Sequence, residues 1–323
     1  MEKVFKLGHI SDIHISRQYY RERIKSLKVL LREMKNDGVD HLIVSGDIVS
    51  TADENDYYLT REIFSSAGFL SAERLTVVPG NHDIFGGPHR AVDIVSFPQH
   101  IRTVDYMKHL SLFQNAFAET FDSVHCLSTT GLFPFIKIVH KFAILGLNSI
   151  SPWSLWKNVF GTNGAIDENQ YEALTNPRVR EFLKDKIPIV VLHHQFNEIA
   201  SEEYNKNNGI WLRVESKTMR MRKRRKLLRL FEVLGVRYVF HGHIHRNELY
   251  KQKGILFANG AGAVCDDPVR FLKYNLLEYS DEVCSIKIKQ LPIPYAVPAA
   301  SQPLYNGYKA IHLPSLAVTI ENR

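Results

Sequence analysis

The chain has few cysteines and none in a pair. Its three, Cys126, Cys265 and Cys284, are odd in number, far apart and form no Cys-x-x-Cys. That pattern excludes a disulfide framework and fits a reducing cytoplasm. Long apolar runs are missing too: no stretch approaches the roughly 18 residues of a membrane-spanning helix. At the N-terminus, Met1 to Leu7 enters a strand-like pattern with no apolar leader and no small-residue cleavage site, so no secretory signal is expected. The 18 glycines and 13 prolines follow no period, which excludes collagen-like and repeat architectures. Acids are scarce in one place only. Residues 213–229 hold nine lysines and arginines, among them Arg222, Lys223, Arg224 and Arg225, against the single acid Glu215. The net charge of +7 is therefore local, and a generally basic, nucleic-acid-binding surface is not expected.

What the chain does have is alternation of strand and helix patterns. Val4 to Ile10 reads as a buried strand, residues 18–36 carry Ile24, Leu27, Leu30, Leu31 and Met34 at helical spacing, and Val39 to Val44 reads as a second strand. A helix over 54–67 and a strand over Leu75 to Val78 follow. This is the βαβ pattern of an α/β protein. Residues 84–125 read as an insertion with a helix around 105–121. Strands are expected at 135–139, 142–147, 187–192, 236–240, 254–258, 273–279 and 283–290, with helices at 168–184 and through the basic segment. From Pro292 onward, Pro294, Pro298 and Pro303 predict an irregular extension over 291–323. The body of the protein is expected over 1–290.

Five of these strand ends deliver polar, metal-ligand residue types: Asp12-Ile13-His14, Gly46-Asp47, Gly80-Asn81-His82-Asp83, His193-His194 and Gly242-His243-Ile244-His245. In open α/β sheets the functional crevice lies beyond the carboxyl ends of the strands. Carboxylates, imidazoles and an amide without thiolates suit Mn, Fe, Zn or Co. Asp-x-His and His-x-His are expected to aim two ligands to one side of an extended backbone. Asp12, His14, Asp47, Asn81, His193, His243 and His245 are too many for one tetrahedral site. They suit two metals that share a carboxylate, and Asp47 is the obvious bridge.

In this order, the motifs resemble those of the calcineurin-like metallophosphoesterases, over about residues 1–290. The resemblance implies a four-layer α/β/β/α sandwich with mixed sheets. It implies one metal on Asp12, His14, Asp47 and His245, and another on Asp47, Asn81, His193 and His243. His193 rather than His194 matches the strand-end ligand. His82 would act as acid or phosphate-oxygen donor, with Asp83 orienting it. Two departures stand out: Thr51 replaces a second acid that many members carry, and Gln195 follows His-His where many have proline.

The implied activity is a dinuclear phosphoesterase, first of all a phosphodiesterase acting on a nucleotide or glycerol-type diester through metal-activated hydroxide. Pyrophosphate cleavage in a nucleotide-linked lipid precursor is the second reading. A nuclease and a non-catalytic scaffold rank lower, the latter because all seven ligand types are present. His9, His41 and His241 are expected in the core or behind the site, His194 behind it, and Trp153 and Trp156 in the core. The basic segment is read first as a solvated helix face, then as contact with an anionic membrane or lipid-linked substrate, which would put the protein in the cytoplasm at the inner face of a membrane, and third as steering of a small anionic substrate. Its lack of interleaved aromatics argues against single-stranded nucleic acid.

Overall fold

The computed structural model describes residues 4–89, 91–159, 161–196, 221–245, 247–260, 262–264, 271–281, 283–293 and 318–321. Cys265, residues 197–220 with the first half of the basic segment, and residues 294–317 of the extension lie outside them. No helix among the described residues is long and apolar enough to cross a membrane.

Two sheets carry the fold. In the first, β1 (Phe5–Ile10), β2 (His41–Val44) and β3 (Leu75–Val77) run parallel, and β11 (Phe271–Tyr279), β12 (Val283–Pro292) and β13 (Val318–Glu321) extend the β1 edge antiparallel. In the second the order is β4 (His125–Cys126), β5 (Phe135–Val139), β6 (Phe142–Gly146), β7 (Ile187–Val191), β8 (Tyr238–His241), β10 (Ile255–Asn259), β9 (Glu248–Gln252). There β6, β7, β8 and β10 are parallel and the rest antiparallel, so both sheets are mixed. The expected strands are present to within a residue or two. The extension departs from expectation, because Val318–Glu321 pairs with β12 as an edge strand.

Period-two alternation decides which layer each side chain enters. Along β7, Ile189 and Val191 face the core between the sheets, and Val190 and Leu192 face the outer helices. On β8, Tyr238 and Phe240 point inward, and Val239 outward. The outer side of sheet one is covered by α1 (Arg21–Asn36), through Leu27, Leu30, Leu31 and Met34, and by α2 (Glu54–Ser66), through Ile63 and Phe64. The helices α6 (Glu168–Thr175), α7 (Arg178–Leu183) and α8 (Arg224–Val233) cover sheet two with Leu174, Val179, Leu227 and Phe231. The result is an α/β/β/α sandwich.

Local chemistry explains the boundaries that the pattern missed. The expected helix over 168–184 is two helices. Asn176, the residue before Pro177, sits extended at ψ 130, where the proline ring disfavours helix. Between β3 and β4 the chain forms α3 (Asn81–Phe85), α4 (Ala91–Thr103), α5 (Tyr106–Ala116) and a 3-10 turn over Ala118–Phe121, where a single helix was expected. Ile84, Phe85, Ile101 and Ile150 make a small separate core beneath this insertion.

Candidate metal centre

The site is built where parallel strands end. Asp12 and His14 follow β1, Asp47 follows β2, Asn81 to Asp83 open α3 after β3, His193 and His194 follow β7, and His243 and His245 follow β8. In each of Asp-Ile-His, Gly-Asp-Ile and His-Ile-His an isoleucine, Ile13, Ile48 or Ile244, is driven into the core. That pins the turn and leaves its polar neighbours at the sheet end. The turns are not extended, as the alternation argument expected. Asp12, His14, Asp47, His243 and His245 all have positive φ, at 54, 46, 51, 80 and 45 degrees. These left-handed turns aim the ligand types at one another, and such strain at non-glycine residues persists where the surroundings hold it.

The seven residues named from the sequence come together with His82. Ligand atoms of Asp12, His14 and His245 lie within 4.8 Å of one another, as do those of His14, Asp47 and His82, and those of Asp47, His193 and His243. Asp47 and His14 each belong to two of these groups. Asp47 Oδ2 is 3.3 Å from His193 Nε2 and 3.8 Å from His14 Nε2. Asn81 Oδ1 is 3.1 Å from His193 Nε2. His193 Nδ1 donates to the Ser45 carbonyl at 2.9 Å, which leaves Nε2 facing the centre as an acceptor. The Asp12 carboxylate accepts the His243 N–H, and Asp47 Oδ1 accepts the His82 N–H at 2.8 Å.

These groups fit bound cations. Nitrogens of separate imidazoles face each other at 3.0 Å for His14 and His245, and at 3.1 Å for His193 and His243. The buried His243 Nε2 has no hydrogen-bond partner. Asp47 is 1% exposed, and no lysine or arginine among the described residues pairs with it. A buried carboxylate needs compensating charge. Buried oxygen and nitrogen donors around shared Asp47 are a transition-metal donor set.

Asp83 does something other than orient the His82 ring directly. Its carboxylate, pushed up to about 8 by burial and then by the Asp47 charge, accepts the N–H groups of Ile48, Val49 and Gly80 at 2.8–3.0 Å. It ties the Asp47 turn to the α3 turn. Thr51, standing where an acid was noted as missing, donates to Asp56 at 2.7 Å. Gln195 is buried with neither amide atom partnered.

Other residues fall where the sequence reading put them, or do not. His9 is held by Ser45 and Asn275, His41 by the Glu73 carbonyl and Thr76, and His241 by Tyr250. Both ring nitrogens of His194 are engaged, by Ser149 Oγ at 2.8 Å and the Thr162 carbonyl at 3.1 Å. The core expectation fails for Trp156, which is 90% exposed. The sequence reading missed Ser149, which also accepts the His193 and His194 N–H groups at 3.3 Å. It follows β6, so the strand-end rule that found the ligand types reaches it as well. Also missed is an aromatic cluster of Tyr19, Tyr20 and His89, with His89 near enough to His82 to feel its charge. His82 stands edge-on to His14, and Tyr19 stacks on His89 at 4.2 Å. Arg23 lies over the Tyr20 ring at 3.9 Å.

An α/β/β/α sandwich with such a donor set at its parallel strand ends defines a class of metal-dependent hydrolases. The sequence profile of the calcineurin-like phosphoesterases matches residues 5–247, and the chain belongs to that family. It is a metal-dependent phosphoester hydrolase. Solved structures share the fold. A dimetal phosphatase from Danio rerio is 11% identical, with 88% of this chain and 95% of that chain covered and a TM-score of 0.54. Purple acid phosphatase PPD1 from yellow lupin (Lupinus luteus) is 11% identical, with 90% and 52% covered and a TM-score of 0.53. GAP50, the anchor in the inner membrane complex of Plasmodium, is 10% identical, with 95% and 93% covered and a TM-score of 0.51. No curated protein sequence matches the chain.

Proposed function

We propose that the protein is a dinuclear phosphodiesterase of the cytoplasm, acting on a nucleotide or glycerol-type phosphodiester. Asp12, His14, Asp47 and His245 would hold one transition-metal ion, and Asp47, Asn81, His193 and His243 the other, with Mn, Fe or Zn the candidates. The carrying observation is that Asp47 belongs to two of the three ligand groups. When bound, such a metal pair supplies Lewis acidity, neutralising phosphate charge and activating water.

The chain's own residues do the rest. His82 carries its ring beside His14, and burial, more than any neighbouring charge, lowers its basicity. A neutral imidazole at that place donates one N–H to a phosphate oxygen or to the leaving oxygen. Asp83 acts as a positioning residue, because its three backbone hydrogen bonds fix the loop that carries His82. A diester is favoured over a monoester because it carries organic groups on both sides of phosphorus. The stacked Tyr19 and His89 rings give one of them a flat apolar surface, and Arg23 adds positive charge.

Pyrophosphate cleavage in a nucleotide-linked lipid precursor is the second reading. The exposed Leu155 and Trp156 beside exposed Arg222 favour it. Metal analysis together with turnover of bis-p-nitrophenyl phosphate and p-nitrophenyl phosphate tests the main reading. Two metals per chain with preference for the diester are expected; two metals with no turnover of any phosphate ester would contradict it.

A further inference from the structure

Residues 154–158 form a tight turn with an unusual load at its tip. Ser154 and Asn158 pair across it, with the Asn158 N–H donating to the Ser154 carbonyl at 2.9 Å. The tip is then held from beneath. Asn158, 1% exposed, donates to the Ser151 carbonyl at 2.8 Å and accepts the Asn163 N–H at 3.0 Å. The Lys157 carbonyl accepts from Asn163 at 3.1 Å and from the Arg222 guanidinium at 3.0 Å. On this fixed frame Leu155 is 59% exposed and Trp156 90% exposed. A loop that merely wanders presents such residues at no particular place. This one is pinned so that an aliphatic and an indole side chain project together into water, which single surface apolar residues do not require.

The same segment reaches the metal centre. The Thr162 carbonyl contacts His194 Nε2, and a β-carbon at Gly164 would strike the His194 ring. Gly164 also pairs with Met221, and its carbonyl accepts the Arg222 N–H at 2.7 Å. So the tip, the start of the basic helix and one wall of the site are joined by short, direct contacts. A groove of 520 Å³ lies along this segment, lined by Tyr106, Ile150, Pro152 and the 64% exposed Met107, with the acids Asp105 and Asp167.

Charge completes the surface. Lys157, Arg222, Lys223, Arg225, Lys226 and Arg229 are exposed, and Glu168 offsets part of this through Lys223 and Lys226. The apolar stripe of α8, Leu227, Leu228, Leu230 and Phe231, is spent in the core over sheet two. Of the apolar residues on α8 only Val233, at the end away from Lys223, stays exposed, so the helix has no broad apolar face to lay into a bilayer. Its bases can only attract, and the apolar contact must come from Leu155 and Trp156. An aromatic and a leucine at interfacial depth, flanked by Lys157 and Arg222, match an anionic lipid headgroup layer. A convex tip with an aliphatic member is poorly suited to nucleic acid, which is bound in basic grooves lined by stacked aromatics.

We propose that Leu155 and Trp156, with Lys157, Arg222 and Lys223, dock the protein on an anionic membrane surface with the metal centre beside the bilayer. The test is sedimentation with phosphatidylcholine vesicles with and without phosphatidylglycerol, at low and high salt. Wild-type protein should bind the anionic vesicles only, and salt should weaken binding. Trp156→Ser should weaken it about tenfold and Arg222→Gln with Lys223→Gln about 30-fold, since each base near the surface is worth about fivefold. With Trp153 and Trp211 replaced by phenylalanine, Trp156 fluorescence should shift to the blue on binding. Absence of binding to anionic vesicles overturns the proposal, as does binding that Trp156→Ser leaves unchanged. So does binding to duplex or single-stranded DNA that the same variants weaken while vesicles are ignored. Circular dichroism of each variant shows that it is folded. Vesicle binding needs no turnover, so its failure is separable from failure of the diesterase reading.

Discussion

Gly80 lies so close to Asp47 that a β-carbon on it would overlap the Asp47 carboxylate and N–H. Its φ of −106 is open to any residue, so space alone demands glycine here. Gly80→Ala should therefore push Asp47 out of place without unfolding the sheet. Metal content should fall below one per chain while circular dichroism stays that of wild type. Full metal content in this variant would show that the Asp47 turn yields more easily than its packing implies.

His82→Ala separates holding metal from handling protons. We expect metal content to remain near that of wild type and kcat to fall about 10²–10⁴-fold. His82 lies in a group with His14 and Asp47, so it is close enough to ligate. Loss of metal on substitution would make it a ligand and end its assignment as proton donor.

Lys137 gives a stability prediction away from the site. Its side chain is 1% exposed, and Nζ donates to the Leu75 carbonyl at 2.7 Å and to the Thr120 carbonyl. Burial pushes the amine down to about 7, and the charges of Glu73 and Asp122 oppose this only weakly. A neutral amine still has two N–H donors for the two carbonyls. Between about pH 7 and 10 the unfolded chain then holds a proton that the folded chain lacks. Stability relative to Lys137→Met should rise through that window by about 1.4 kcal/mol per pH unit and be flat below it. Urea unfolding across pH reads this directly, and a flat difference throughout would mean that the amine stays charged when buried.

Much of this was readable in advance, for physical reasons. Parallel strands buried on both faces appear as continuous apolar runs, so β1, β2, β7 and β8 and the ligand types at their ends stood out. Leu27, Leu30, Leu31 and Met34 marked the buried face of α1 through helical spacing. Backbone conformation was not readable. Asp12 and His14 meet through left-handed turns that no apolar period encodes. Side chains that serve through backbone contacts were also hidden. Ser149 matters because its hydroxyl meets two N–H groups and the His194 ring; its place after β6 was readable, but not which groups its hydroxyl would meet. Trp156 misled because large apolar residues are usually buried, whereas here a pinned turn holds it outward.

The central claim is that one carboxylate serves two metals, and Asp47→Asn tests it most directly. Metal analysis of the purified variant, reconstituted with Mn and dialysed, should find both ions lost or weakly held, with turnover of bis-p-nitrophenyl phosphate reduced to background. One ion lost and the other retained at wild-type affinity would contradict the shared carboxylate.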